Sequence, residues 1–403
     1  MNNIYLIDYG LSGNFFIRVA NSSPELRHHF ISIVWSSSKE AKKRGYTSSL
    51  LSKWRCCDLV CNEKITETRE VLLGVLDETR AIKLFSLAYA EVINYARKNK
   101  VDPQNTILHI WNGASVFGEV ARKLKNDFGF KTLFYEISNL PGKLFVDPDG
   151  VNAQARIYST PEILSRFPDT NGFFPVWRNS FFDLKRDGVL IPQAITSKSL
   201  NLNHFCDFIY AIIWGFRFFS WTSVRTKILN LLRVRNGFKI NVGAHTDSSS
   251  FPESFLFFPM QVSNDTQIKI NSHINNVDAL EYLAQTCDLP LLIKPHPAEF
   301  DTTYLYDAID RLQFKHKPRV TDINTVTLIK KARKVYTINS TVGLEALILG
   351  KPVEFLAKSF YSNLNEDNLP NYVVGYLLSI DFFAESEAIS SKAYSLLVDR
   401  ALL

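Results

Sequence analysis

Cysteine is scarce in this chain and follows no pattern. Five Cys occur in 403 residues, an odd number without regular spacing, which argues for a reducing compartment and against a disulfide framework. Cys56, Cys57 and Cys61 cluster, but no second Cys pair or nearby His completes a tetrahedral set, so no metal is expected there. The opening MNNIYLIDYG has neither a basic stretch nor a long apolar run. No signal peptide is read, and the protein is expected in the cytoplasm. Runs of five or more Lys or Arg are also missing, and the formal charge of +6 is modest for this length. That balance does not announce nucleic acid; an anionic small substrate and a negatively charged membrane surface fit it equally well. Gly10 and Gly13 follow a first apolar strand but do not make the dinucleotide fingerprint, so no cofactor site is read from them.

What is present is core. Hydrophobic residues make up 46% and charged residues 21%, a globular balance, and the length favours two domains. Short apolar runs alternate with helical spacing. Ile4 to Ile7 reads as a strand, followed by a Gly-containing turn and helical spacing at Phe15, Phe16 and Val19. His29 to Trp35 reads as the next strand, and Ser36 to Arg55 is polar and basic. Thr79 to Asn99 has the apolar spacing of an amphipathic helix. Ile107 to Trp111 and Thr132 to Tyr135 are further strands, the first released into Asn112 and the second into Glu136. This alternation predicts a parallel sheet.

After Glu136 the pattern breaks into ISNLPGKLFVDPDGVNAQAR, which carries Asp147, Asp149, Gly150 and Asn152. A carboxylate at a strand's carboxyl end beside a long loop is placed for chemistry, whereas Asp-Pro-Asp-Gly is most simply a β-turn. That leaves no Asp-x-Asp in a convincing metal context. From Ile163 to about Val242 no clean alternation is seen. Within it, Asn203 to Trp221 is apolar around most of its circumference, yet too short and too interrupted by Asp207 and Arg217 to span a bilayer. Two readings stay open: a helix buried between domains, or an aromatic helix at a membrane interface.

A second α/β pattern begins near Lys239. Phe255 to Met260 is a strand released into Gln261, Asp265 and Gln267, followed by a helix from about Asn276 to Thr286. Leu291 to Pro297, LLIKPHP, reads as a buried strand that frees Lys294, His296 and Pro297 at its carboxyl end, where open α/β sheets bind ligands. Val335 to Ile338 is the next strand. Asn339, Ser340 and Thr341 then open a helix that runs to Gly350, with Pro352 as a stop. The unpaired N–H groups of such a helix start suit a phosphate. The tail from Tyr372 onward reads as helical.

Three blocks resemble the capsule polysaccharide synthesis family, whose characterised members are retaining β-Kdo glycosyltransferases that use CMP-β-Kdo. They are FFPMQVSNDTQI (Phe257 to Ile268), IKPHPAEFD (Ile293 to Asp301) and INSTVGLEALILGKPVE (Ile338 to Glu354), in the family's order and roughly its spacing. GLSGNFFIR (Gly10 to Arg18) and YEISNLPGKLFVDPDGVN (Tyr135 to Asn152) resemble it more loosely. Ser138 stands where the family usually has Gly, and the Arg between Leu140 and Pro141 is missing. The resemblance covers most of the chain apart from roughly residues 20–100 and 160–240.

The resemblance implies an α/β protein of GT-B architecture, two Rossmann-like domains facing across a cleft. The expected partition is 1–200 for an N-terminal acceptor and catalytic domain and 201–238 for an aromatic helical connector. Residues 239–375 would bind the CMP-sugar, and C-terminal helices at 376–403 would return to the first domain. Gln261, Asp265, Gln267, Lys294, His296, Pro297, Asn339, Ser340 and Thr341 are the expected donor site, with Glu345 on ribose hydroxyls. Lys294, His296 and the helix start would neutralise the departing phosphate without a metal or other cofactor. Glu136 is the expected nucleophile of a double displacement and Asp147 the reserve. Ser12, Asn112 and Asn152 are placed on the acceptor side. The implied partners are the CMP-sugar and a glycan or glycolipid acceptor, with further transferase modules and peripheral contact with the inner membrane also open. Two other classes compete: a GT-B glycerophosphotransferase of teichoic-acid type, and a non-catalytic glycan-binding or assembly factor.

Overall fold

The computed structural model describes residues 1–60, 62–186, 202–216, 252–263, 272–297, 299, 302–384 and 387–403. Its described residues divide into two compact units. The first holds a six-stranded sheet with spatial order β3-β2-β1-β4-β5-β6. These strands are β1 (Asn2–Ile7), β2 (Arg27–Ser32), β3 (Thr47–Leu50), β4 (Thr106–Trp111), β5 (Lys131–Ile137) and β6 (Leu144–Asp147). Neighbours are parallel except β6, which pairs antiparallel with β5. β1 and β4 are buried almost along their whole length, as strands covered on both faces must be.

Helices flank this sheet where the spacing predicts them. The helix Glu78–Asn99 starts on Asp77, whose carboxylate accepts the Arg80 N–H at 2.9 Å, and ends at Lys100 in the left-handed region. The strand read at His29 to Trp35 is shorter than expected: Trp35 opens a helix to Lys43, and the polar stretch after it holds β3. A polar string threads the core, His109 sitting between the Tyr135 hydroxyl (2.7 Å) and the Asn3 side chain (2.9 Å).

The chain's last stretch completes the first unit. Leu378 bridges to Leu144 beside β6, and Arg18 donates to the carbonyls of Asp381, Phe382 and Glu387. The helix Ser391–Ala401 covers β5 and β6, and its Tyr394 hydroxyl donates to Asn3 at 2.9 Å. The tail is not helical throughout. A widened helical turn at Asn371–Tyr376 and the helix Ser391–Ala401 are separated by irregular chain.

The second unit is built on a five-stranded parallel sheet with order β11-β10-β7-β8-β9. Its strands are β7 (Leu256–Pro259), β8 (Leu291–Lys294), β9 (Arg319–Val320), β10 (Lys334–Thr337) and β11 (Val353–Phe355). Alternate residues of β7, with Phe255 just before it, feed two cores: Leu256 and Phe258 pack with Leu280, Leu283 and Leu305, while Phe255 and Phe257 pack with Leu328, Ile329 and Ala346. The helix Asn276–Thr286 carries a full capping box, Asn275 and Asp278 satisfying each other's backbone N–H groups.

The linear partition expected from sequence does not describe the contacts. Residues from Pro161 to Arg186, expected in the N-terminal domain, group with the second unit. There the Asp169 N–H donates to Asn371 and Lys185 pairs with Glu345. The helix Leu202–Trp214, expected in a connector, packs within the first unit instead. Its Asp207 accepts both the backbone N–H and the hydroxyl of Ser36. The rest of the aromatic stretch, 217–221, lies outside the described residues.

Candidate functional site

In the second sheet the chain runs from β7 to β8 and β9 on one side, then crosses to β10 and β11 on the other. Strand order therefore reverses between β7 and β10, and a crevice outside the carboxyl ends opens at such a reversal. Gln261 and Asn339 meet there. The Gln261 amide donates to the Asn339 side-chain oxygen at 2.9 Å, and the Asn339 N–H donates back to Gln261 Oε1 at 3.0 Å. Buried Asn276 fixes Gln261 from beneath, its amide donating to the Gln261 carbonyl at 2.7 Å.

On the other side of β7 lies Lys294, the last residue of β8. Its half-buried amine donates to the Ile323 carbonyl at 2.6 Å, and burial lowers its pKa, with Asp322 acting against the shift. His296 and Pro297 follow in an exposed turn that the Glu299 N–H closes onto the His296 carbonyl. Beyond β10, Ser340 caps the helix Thr341–Ile348 by accepting the Val342 N–H at 3.2 Å. Gly343 lets this helix start lie flush against the sheet, since a Cβ there would come within 2.4 Å of the Phe355 ring. Gln261, Asn339, Ser340 and Thr341 are thus brought together, with Lys294 and His296 on the adjoining strand end. Asp265 and Gln267 lie outside the described residues.

Glu345 is placed differently from the expectation. It is 9% exposed, and its Oε1 forms an ion pair with Lys185 at 2.7 Å. The partner comes from a stretch where no pattern was legible. A carboxylate held this way ties Lys185 to the helix.

The first unit presents a second cluster. Its sheet reverses between β1 and β4, and the carboxyl ends of β1, β4 and β5 carry Asp8, Asn112 and Glu136. Asn112 and Gly113 both take positive φ, 65° and 78°, which turns the chain sharply off β4. The Asn112 amide donates to Glu136 Oε2, and the Ile137 N–H donates to Oε1 at 2.9 Å. Burial nevertheless raises the Glu136 pKa, these two donors and the Arg69 charge pulling the other way. Asp8 is also raised by burial despite Arg69, whose guanidinium lies 3.3 Å from both Asp8 and Glu70. The second oxygen of Asp8 is buried without a hydrogen-bond partner among the described residues. Sequence reading missed Arg69 and Glu70 as members of this cluster.

Asp147 is a structural residue. It is fully buried; one oxygen accepts the N–H groups of Asp149 (2.8 Å) and Gly150 (3.2 Å) and the other the Tyr376 hydroxyl (2.8 Å), while the Arg156 N–H lies 2.9 Å from both. An oxygen pair so engaged organises the Asp-Pro-Asp-Gly turn. Of the acceptor-side candidates, Ser12 is fully buried and donates to the Tyr9 carbonyl, so it serves the helix Gly10–Asn21. Asn152 takes a positive φ of 54° at the start of a short helical turn. Only Asn112 among the three touches Glu136 in the described hydrogen bonds.

The described residues thus form two Rossmann-like α/β units, each with polar groups at the reversal of its strand order. Residues 226–364 match the family model "Capsule polysaccharide biosynthesis protein", so the resemblance carried by the three blocks holds for that stretch. Protein FixF of Sinorhizobium fredii is 27% identical over 303 residues, covering 70% of this chain and 58% of that protein. Capsule polysaccharide modification protein LipB of Neisseria meningitidis is 24% identical over 252 residues, 55% of this chain and 56% of LipB. The chain thus spans little more than half the length of these curated relatives. Among solved structures, Thermosulfurimonas dismutans KpsC, beta Kdo 2,7 transferase, aligns over 99% of both chains with 14% identity and a TM-score of 0.47.

Proposed function

We infer that this protein is a retaining glycosyltransferase that moves Kdo from CMP-β-Kdo to a glycan or glycolipid in bacterial surface polysaccharide synthesis. One observation carries the reading. The three blocks that resemble the family begin on β7, on β8 and directly after β10, three neighbouring strands, and carry Gln261, Lys294, His296 and the Ser340 helix cap at their carboxyl ends. A cation and a helix start at the ends of the two strands flanking β7 suit a departing phosphate, and stabilising charge that develops on the leaving group accelerates transfer.

In this reading Glu136 attacks the ketosidic carbon as the bond to the CMP phosphate breaks, and the electron pair leaves on CMP. The acceptor hydroxyl then displaces Glu136 with loss of its proton, giving net retention. Burial raises the Glu136 pKa, so that when ionised it is a more basic carboxylate than a solvated one. Asp8 and Arg69 hold the electrostatics of the same strand ends.

Donor-only incubation followed by intact mass tests the reading. CMP release from CMP-β-Kdo with a Kdo adduct on the protein supports it. Turnover of CDP-glycerol instead would establish the phosphotransferase class, and turnover of neither donor would leave the glycan-binding class.

A further inference from the structure

The helix Leu202–Trp214 has one face that the fold uses and one that it does not. Asp207, Tyr210 and Trp214 seat it: Asp207 accepts from Ser36 at 2.7 and 2.5 Å, and the Tyr210 hydroxyl and Trp214 indole N–H donate to the Leu51 carbonyl at 2.6 and 3.0 Å. At 100° per residue, Phe205, Ile209 and Ile212 share the opposite side. They are 60%, 42% and 52% exposed. A solvent-facing helix stripe normally carries polar groups, and this one carries three large apolar side chains at i, i+4 and i+7.

Cations border the same helix. Past Leu51 the chain exposes Trp54 and Leu59, with the Lys53 amine 5.1 Å from the Trp54 ring centre. Lys53, Arg80 and Lys83 line a pocket with Trp54 and Trp214 at the helix's carboxyl end, where Arg80 also donates to the Gly215 carbonyl. Asp77 answers Arg80 at 3.0 Å. On the neighbouring helix Trp35–Lys43, joined through the Ser36–Asp207 bonds, Lys39, Lys42 and Lys43 are exposed.

We propose that this face docks on an anionic lipid bilayer, Phe205, Ile209 and Ile212 entering the acyl boundary while the bordering lysines meet the headgroups. Charge complementarity selects the occupant, since an apolar stripe on a helix with lysines at its carboxyl end and on the neighbouring helix matches a negatively charged leaflet and not a neutral one. The helix is about 20 Å long, less than the ~30 Å of a hydrocarbon core, so it lies in the interface plane. No helix among the described residues is long and apolar enough to cross a membrane. The proposal stands on this surface alone and holds whichever donor the protein uses.

Flotation of the whole chain with vesicles tests it. Binding is expected to phosphatidylcholine vesicles containing phosphatidylglycerol, to fall steeply with added salt, and to be weak on pure phosphatidylcholine. The triple variant Phe205→Ser, Ile209→Ser, Ile212→Ser should lose at least about tenfold in partitioning, with its melting temperature close to that of the parent because these side chains are exposed. The charge variant Lys53→Glu, Lys83→Glu should bind less tightly and lose most of its salt dependence. Binding unchanged in both variants, or no binding to anionic vesicles by the parent, overturns the proposal. A concentration-dependent dimer that the triple variant abolishes, without vesicle binding, would likewise overturn it and assign the face to a second copy.

Discussion

Gln261 and Asn339 close a reciprocal pair of hydrogen bonds, side-chain amide to side-chain oxygen at 2.9 Å and backbone N–H to Oε1 at 3.0 Å. The pair locks the ends of β7 and β10 together where strand order reverses. Gln261→Ala would leave the Asn339 N–H and side chain without these partners, at a cost of about 1–3 kcal/mol. The helix start that follows Asn339 would lose its register. CMP affinity, measured by calorimetry, is expected to fall about tenfold or more while the protein stays folded by circular dichroism. Unchanged affinity would detach this crevice from the nucleotide.

His296→Ala should act on turnover more than on folding, because His296 is exposed in its turn. If it meets charge developing on the leaving phosphate, kcat should drop roughly 10²-fold with little change in melting temperature. Steady-state kinetics on CMP release gives the number. On the proposed reading, in which Lys294 and the helix start supply the charge that a metal would, full activity in excess EDTA is expected beside it.

Glu136→Gln separates chemistry from stability. Transfer and the Kdo adduct should nearly vanish while donor binding persists. Burial raises the folded-state pKa of Glu136 above its unfolded value, so its protonated form suits the fold better and the charged form costs stability. That stabilising contribution is full below the unfolded pKa and is lost as pH rises through the folded pKa. The variant should therefore gain melting temperature over the parent at pH 8, and the gain should shrink towards pH 5. A loss at pH 8 would mean that the Asn112 and Ile137 donors outweigh burial.

Asp147→Ala should behave in the opposite way. It removes an acceptor shared by three backbone N–H groups and the Tyr376 hydroxyl, and about 3 kcal/mol or more of stability should go with it, read by denaturant midpoint. Activity per folded molecule should survive. Loss of the adduct in folded Asp147→Ala protein would return this residue to the chemistry.

The second unit's sheet was legible because each of its longer strands is a short apolar run that ends in polar or turn residues. Phe255 to Met260 and Val335 to Ile338 lie within a residue or so of β7 and β10, and β8 takes the first four residues of the expected Leu291 to Pro297. Strand ends told where Lys294 and Asn339 would emerge. They did not tell that Glu345 would meet Lys185, which lies 160 positions away, because a pair so distant leaves no periodic trace. Arg69 and Glu70 escaped for the same reason. They sit on a single short helical turn, Arg69–Leu72, and gain meaning only when β1 and β4 bring Asp8 and Asn112 alongside. The hydrogen-bonded surroundings of Asp147 were not legible because a turn-organising carboxylate and a catalytic one have the same local sequence, and Tyr376 lies 229 positions on.

The return of Gly375–Leu403 to the first unit sets an order on biosynthesis. A ribosome delivers β1 to β6 early, but Arg18 finds its carbonyl partners only when residues 381–387 emerge, and Asn3 waits for Tyr394. The first unit to begin is thus the last to finish. While the second sheet is being made, β5 and β6 lack their covering helix and the nascent chain carries an open apolar surface, the state in which chaperone binding and proteolysis compete with folding. A stop codon placed before Ser391 would make that transient state permanent, although every residue at the proposed donor site would already be in place.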